Sequence, residues 1–141
     1  VTNLDNGRSS LHSHGMPYSD RITIETTSLD AFFETLGWPQ IDLVKIDVEG
    51  AELLVWSGMT RLRENHPSLD IIIEYNPALL RNAEVDPVQF LQMLESSGFH
   101  LKCIDGGFGL DPISSINVTS FSNRIESRDT SVNLFCCRRS I

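Results

Sequence analysis

Residues 41–52, IDLVKIDVEGAE, constrain the fold of this chain more than any other segment. Leu43, Val44, Ile46 and Val48 make a nearly continuous apolar run, largely β-branched. Such runs suit a strand covered on both faces, as in a parallel sheet. Gly50 then turns the chain, and residues 51–57 have helical character up to Gly58. Helical character resumes over 59–65, Pro67 and Ser68 make a turn, and residues 69–75 (LDIIIEY) form a second apolar strand. Strand, helix and strand in this order imply a right-handed crossover between parallel neighbours.

The flanking segments extend the alternation. Residues 21–26 (RITIET) place Ile22 and Ile24 on one side of a short predicted strand. Thr27 and Ser28 supply a helix N-cap, and Asp30 suits the positive end of the helix expected over 31–36. Leu29, Phe32, Phe33 and Leu36 form its stripe, and Gly37 and Pro39 stop it. Asn76 and Pro77 end the second strand. Asp86 caps a further helix with Pro87 at its first position and Phe90, Leu91 and Leu94 as its apolar face. Strands are expected at 99–104 and 131–138, with a glycine-rich turn at 105–109 and a polar loop from 110 to 130. Residues 1–20 read as polar loop and 21–141 as part of one domain. The expected class is α/β, a mostly parallel sheet with an antiparallel edge strand.

Composition narrows the function classes. Hydrophobic residues are 40% and charged residues 21%, the balance of a globular domain. Nineteen acidic against 11 basic residues give a formal net charge of -8, which repels phosphate backbones and anionic membrane surfaces. Neither nucleic acid nor membrane is therefore an expected partner. No apolar run approaches the length of a membrane span. Cys103, Cys136 and Cys137 form no CxxC pair and lie in strand-like segments. They read as reduced, buried thiols of a cytoplasmic protein, with Cys136 and Cys137 on opposite faces of their strand. A disulfide from Cys103 to one of them is the alternative if their strands are neighbours.

In open α/β sheets, ligands bind beyond the carboxyl ends of the parallel strands. Acidic residues fall at two such ends. Asp47, Glu49 and Glu52 follow the first strand and Glu74 ends the second. Carboxylates placed there can act as general bases, orient a hydroxyl or bind a metal. Glu52 suits a simpler role at a helix start, where negative charge is favoured by roughly 0.3–1 kcal/mol. Glu74 at the end of an apolar strand needs a cleft or partners. Lys45 inside its strand suggests a buried ion pair. Asn76 caps the next turn or touches substrate. His12 and His14 with Asp20 lie in polar loop, His66 precedes Pro67 at a helix end, and His100 alternates within a strand. Trp38 and Trp56 read as packing residues. No metal centre is expected.

The segment 41–52 resembles the signature of FkbM-type methyltransferases. The resemblance runs collinearly from about residue 21 to the end. Thr27-Ser28-Leu29-Asp30 is similar to the family's helix start, and Gly58-Met59 to its small-residue break. Ile71-Ile72-Ile73-Glu74 is similar to the following strand, and Gly98-Phe99 to its late glycine–aromatic step. The resemblance implies a Rossmann-like sheet and S-adenosylmethionine-dependent transfer of a methyl group to a small-molecule acceptor, such as a hydroxyl of a sugar or secondary metabolite. It also places Asp47 where cofactor and acceptor meet, while position alone makes Glu49 a second catalytic candidate and Glu74 and Asn76 candidates for substrate contact. No glycine-rich turn after a first strand and no acidic residue after a second are found. The chain is thus expected to correspond to the C-terminal, acceptor-side half, without the main cofactor motif.

Two other readings have sequence support. An Asp ending a central strand also resembles a phospho-acceptor receiver domain. The paired early acids of a receiver are missing, however, and Lys102 lies inside a strand rather than at its end. A non-catalytic interaction module is the other. Its sheet would have an uncovered edge, and such edges invite self-association, here a homodimer.

Overall fold

The computed structural model describes residues 24–104, 110–113 and 117–138. Among these residues, five strands and six helices follow in the order α1 (Leu29–Thr35), β1 (Leu43–Ile46), α2 (Glu52–Ser57), α3 (Thr60–Asn65), β2 (Asp70–Tyr75), α4 (Pro77–Asn82), α5 (Pro87–Ser96), β3 (His100–Ile104), β4 (Leu110–Ile113), α6 (Val118–Glu126) and β5 (Val132–Cys137). The strands form one sheet in the spatial order β1-β2-β5-β3-β4. The α/β class and the crossover from β1 to its parallel neighbour β2 are as the sequence implies.

The sheet is not mostly parallel. Among the described strands only β1 and β2 pair in parallel, while β2 with β5, β5 with β3, and β3 with β4 are antiparallel. The returning strand β5 does not add at the edge. It inserts between β2 and β3. β1, β2 and β3 still share one direction, so their carboxyl ends lie together at one end of the sheet. Periodicity along the chain fixes which residues share a face but not which strands become neighbours.

Burial alternates along the strands. Ile46, Ile71, Ile73, Tyr75, Leu101, Cys103, Leu134 and Cys136 are buried on one face. They share a core with Trp56, Met59 and Leu62 from α2–α3, with Phe90, Leu91 and Leu94 from α5, and with Phe121 and Ile125 from α6. On the other face Ile72, Lys102 and Phe135 are only half-buried. β1 is therefore not the fully covered strand that its composition suggests. It is an edge strand among the described residues, and Leu43 is 55% exposed. The cysteine register sets Cys103 against Leu134 rather than against either member of the pair, and all three thiols are buried. Burial drives the Cys136 thiol far above its ordinary range.

Several segments depart from expectation for local reasons. The described part of the strand expected over 21–26 has no regular structure, and Ile24 is 65% exposed, with none of the described strands paired to it. The loop expected over 110–130 contains β4 and α6. Pro112 disguises β4, but a proline is tolerated on an edge strand that pairs on one side only. In α6 the stripe Val118, Phe121, Ser122 and Ile125 is buried within a polar average. Asn76 and Pro77 both stop β2 and start α4, where the Asn76 side chain accepts from Ala78 N and Leu79 N. Residues 1–20, with His12, His14 and Asp20, and the glycine-rich turn at 105–109 lie outside the described residues.

The helix pair around Gly58 is held by Asp30. Ser28 caps α1, accepting from Ala31 N at 3.1 Å. Asp30 turns away from its own helix and caps α3, accepting from Leu62 N at 2.9 Å and Arg61 N at 3.0 Å. Its own N–H donates to Gly58 O at 2.9 Å. Gly58 has little room, since an added Cβ would come within 3.1 Å of Ser28 Cβ. Arg61 completes the dock with a two-point ion pair to Glu34 at 2.9 Å and 3.0 Å. Replacing Asp30 by Ala leaves two N-terminal amides of α3 without their acceptor and is expected to lower the unfolding free energy by about 1–2 kcal/mol. Asp30→Asn should cost less, because one acceptor oxygen remains. Denaturant unfolding of both variants checks this, and an unchanged midpoint for Asp30→Ala would contradict it.

Candidate functional site

The end of β1 is built by a tight left-handed turn. Ala51 N donates to Val48 O at 3.2 Å, closing a four-residue turn whose central residues are Glu49 (φ 52°) and Gly50 (φ 97°). Positive φ at both positions is the pattern of a type I′ turn. At Gly50 a side chain is also excluded by space, because a Cβ there would lie 2.9 Å from Leu79 O of α4. The turn is thus pressed against the helix that follows β2. Glu52, only 4% exposed, folds back onto it. Its Oε1 accepts from Gly50 N at 3.2 Å and Val48 N at 3.4 Å. The signature acid Glu52 is therefore a structural clamp, as its place at a helix start suggests.

This turn brings three carboxylates together. Ile46 pairs with Ile73 in the β1–β2 register, so extending it by one residue sets Asp47 across from Glu74. Glu49 projects from the turn itself. One carboxylate oxygen from each of Asp47, Glu49 and Glu74 lies within 4.8 Å of the others. Three acidic oxygens at this spacing could also hold a divalent cation. A positive charge is already present, since Lys45 Nζ lies 2.9 Å from Asp47 Oδ2. That pair is not buried as the sequence suggested, for the two side chains are 43% and 48% exposed.

The carboxylates are not equivalent. Lys45, by its hydrogen bond first, holds Asp47 below the ordinary range against a partial loss of water, and a hydrogen bond with Glu74 acts in the same direction. Glu74 is pushed up, first by desolvation. The hydroxyl of Ser131 opposes this by donating to Glu74 Oε1 at 2.8 Å, while Asp47 and Glu49 add to the rise. When two carboxylates share a site, one keeps its proton longer. Here it is Glu74, first because it is the more desolvated, while Lys45 holds its partner Asp47 ionised.

Of the residues marked by the sequence, Asp47, Glu49 and Glu74 converge. Asn76 stands apart, its side-chain oxygen engaged at 3.1 Å and 3.2 Å in the α4 cap. Ser131 was not singled out, and no local signal marks it. It reaches Glu74 only because β5 inserts beside β2. Trp56 is a packing residue, set edge-on against Phe99 with the Arg63 guanidinium 3.9 Å from its ring centre. His66 is buried, its ring nitrogens facing Leu62 O and Pro39 O at 2.9 Å and 3.0 Å.

The Glu52 clamp gives a direct test of how the turn is held. Glu52→Ala removes a charged acceptor from two backbone amides and should cost about 2–3 kcal/mol in unfolding free energy. Glu52→Gln keeps an acceptor oxygen in place and should recover most of the loss. Equal stability of the Ala variant and the parent protein in denaturant unfolding would contradict the assignment.

The sequence matches the family model of the methyltransferase FkbM domain over residues 2–101, which takes in the turn, both parallel strands and all three carboxylates. Among curated proteins and solved structures, none matches. No helix among the described residues is long and apolar enough to cross a membrane. With the match spanning most of the chain and centred on the carboxylate turn, the protein belongs to the FkbM methyltransferase domain family.

Proposed function

We propose that the chain takes part in S-adenosylmethionine-dependent methyl transfer to a hydroxyl of a small-molecule acceptor, such as a sugar or secondary metabolite. The observation that carries this reading is the convergence of Asp47, Glu49 and Glu74 at the carboxyl end of the parallel strands. Clustered carboxylates suit the positively charged end of the cofactor, and Asp47 is the residue that would contact it, although no glycine-rich cofactor turn is found in this sequence. When bound, the cofactor supplies a methyl group already activated on a sulfonium. The protein then has to hold the acceptor in line, exclude competing water and remove the hydroxyl proton.

The unequal carboxylates divide this work. Asp47, kept ionised by Lys45, holds a fixed negative charge that orients a hydroxyl or a cationic group. Glu74, raised toward neutrality, is the better-matched general base. It accepts the hydroxyl proton while Ser131 fixes its orientation. Glu49 adds negative charge at the mouth of the site and keeps Glu74 from ionising too readily.

Transfer of a labelled methyl group from S-adenosylmethionine to a panel of hydroxyl acceptors tests the assignment. Glu74→Gln should lower turnover by roughly 10²–10⁴-fold, the usual loss of a general base. In the parent protein activity should rise with pH through a value above the ordinary Glu range, because Glu74 works only when ionised. Asp47→Asn removes one cause of the raised value, so the acidic limb should move to lower pH. Native turnover in Glu74→Gln would overturn the role of Glu74.

A further inference from the structure

We propose a second recognition element for the acceptor, resting on the function proposed above. A cleft between α6 and the ends of β3, β4 and β5 binds an oxyanion, such as a phosphate, sulfate or carboxylate, carried by the acceptor. The cleft encloses about 360 Å³ and is lined by Arg124, Arg128, Ser131, Asn133, Asp111 and Cys103, among others. Its place in the fold is the first argument. β3 runs in the direction of β1 and β2, so its carboxyl end lies at the same end of the sheet as the three carboxylates. Ser131 belongs to both places, lining the cleft and donating to Glu74 Oε1 at 2.8 Å. Asn133 stands directly across from Glu74 in the β2–β5 register. Ser131 and Asn133 thus link the cleft to the proposed base.

Charge is the second argument. The chain carries a formal net charge of -8, yet among the described residues that line it this cleft gathers two guanidiniums against the carboxylate of Asp111. Arg124 is steadied by stacking, its Cζ 5.4 Å from the centre of the Phe121 ring. Arg128 lies one turn beyond it, past the end of α6, and makes no ion pair among the described residues. Two arginines one helical turn apart on a cleft wall suit a flat, multidentate oxyanion. The hydroxyl and amide of Ser131 and Asn133 suit the neutral hydroxyls of the same ligand, and Asp111 accepts from another. An acceptor anchored by its anionic group and presenting a hydroxyl at Ser131 and Glu74 satisfies both halves of the site.

The test needs no turnover. Inorganic phosphate, glucose and glucose 6-phosphate are titrated into the full chain at low ionic strength and followed by amide chemical shifts. Saturable binding of phosphate and tighter binding of glucose 6-phosphate are expected, with shifts at Arg124, Arg128, Ser131 and Asn133. The double variant Arg124→Gln/Arg128→Gln should bind at least roughly tenfold more weakly, whereas Arg124→Lys/Arg128→Lys should retain part of the affinity. All changed side chains are exposed, and an unchanged unfolding midpoint verifies the fold. No saturable binding, or equal binding by the glutamine variant, overturns the proposal. Equal affinity for phosphate and glucose 6-phosphate overturns the acceptor assignment and leaves a site for free anions. Glu74→Gln should bind phosphate as the parent does, so a failed base and a failed oxyanion site give different results.

Discussion

The left-handed turn at Glu49 and Gly50 is the constraint on which the site depends. Its positive φ values end β1 and point the chain into α2. Its glycine lets the turn sit against Leu79 O, which ties the end of β1 to the helix after β2. Glu52 then occupies amides that the turn leaves without strand partners. A non-glycine residue in the left-handed region costs on the order of 1 kcal/mol or more. At Glu49 the same geometry brings the carboxylate to those of Asp47 and Glu74 at the ends of β1 and β2. Four signature residues, Asp47, Glu49, Gly50 and Glu52, thus have four separate physical tasks within one turn.

Electrostatics builds on that geometry. Pairing β1 with β2 in parallel places Asp47 and Glu74 side by side, an arrangement that repels when both are ionised. Lys45 lies two residues before Asp47 on the same face and relieves one partner only. Glu74 lies deeper and meets a neutral hydroxyl from Ser131 instead of a cation. The consequence for stability has opposite signs at the two sites. Asp47, depressed in the folded state, adds stability above its unfolded value that is lost as pH falls through the folded value. Glu74, raised in the folded state, favours folding while protonated and opposes it once pH exceeds its folded value. Lys45 therefore steadies the Asp47 side of the rim, while burial and its acidic neighbours hold Glu74 above the ordinary range.

Much of this was legible in the sequence, and the limits have a physical pattern. Apolar runs located β1, β2, β3 and β5, and cap residues located α5 through Asp86 and Pro87. The acidic ends of the strands marked Asp47, Glu49 and Glu74, because strand ends and turn residues are local features. Pairing is not local. Nothing near residues 132–137 shows that this strand inserts between β2 and β3, so neither the antiparallel sheet nor the contact of Ser131 with Glu74 could be read. Asp30 misleads for the same reason: it reads as a charge favouring its own helix but serves one 31 residues away in the chain. In α6 the three apolar residues of the buried stripe are diluted by Ser, Thr, Asn and Arg, and only the sheet beneath shows what they cover.

The site depends on the asymmetry between Asp47 and Glu74, and carboxyl carbon NMR titration of the two residues tests it most directly. Glu74 should titrate above the ordinary glutamate range and Asp47 below the ordinary aspartate range. Ordinary values at both positions, or the reverse order, would contradict it.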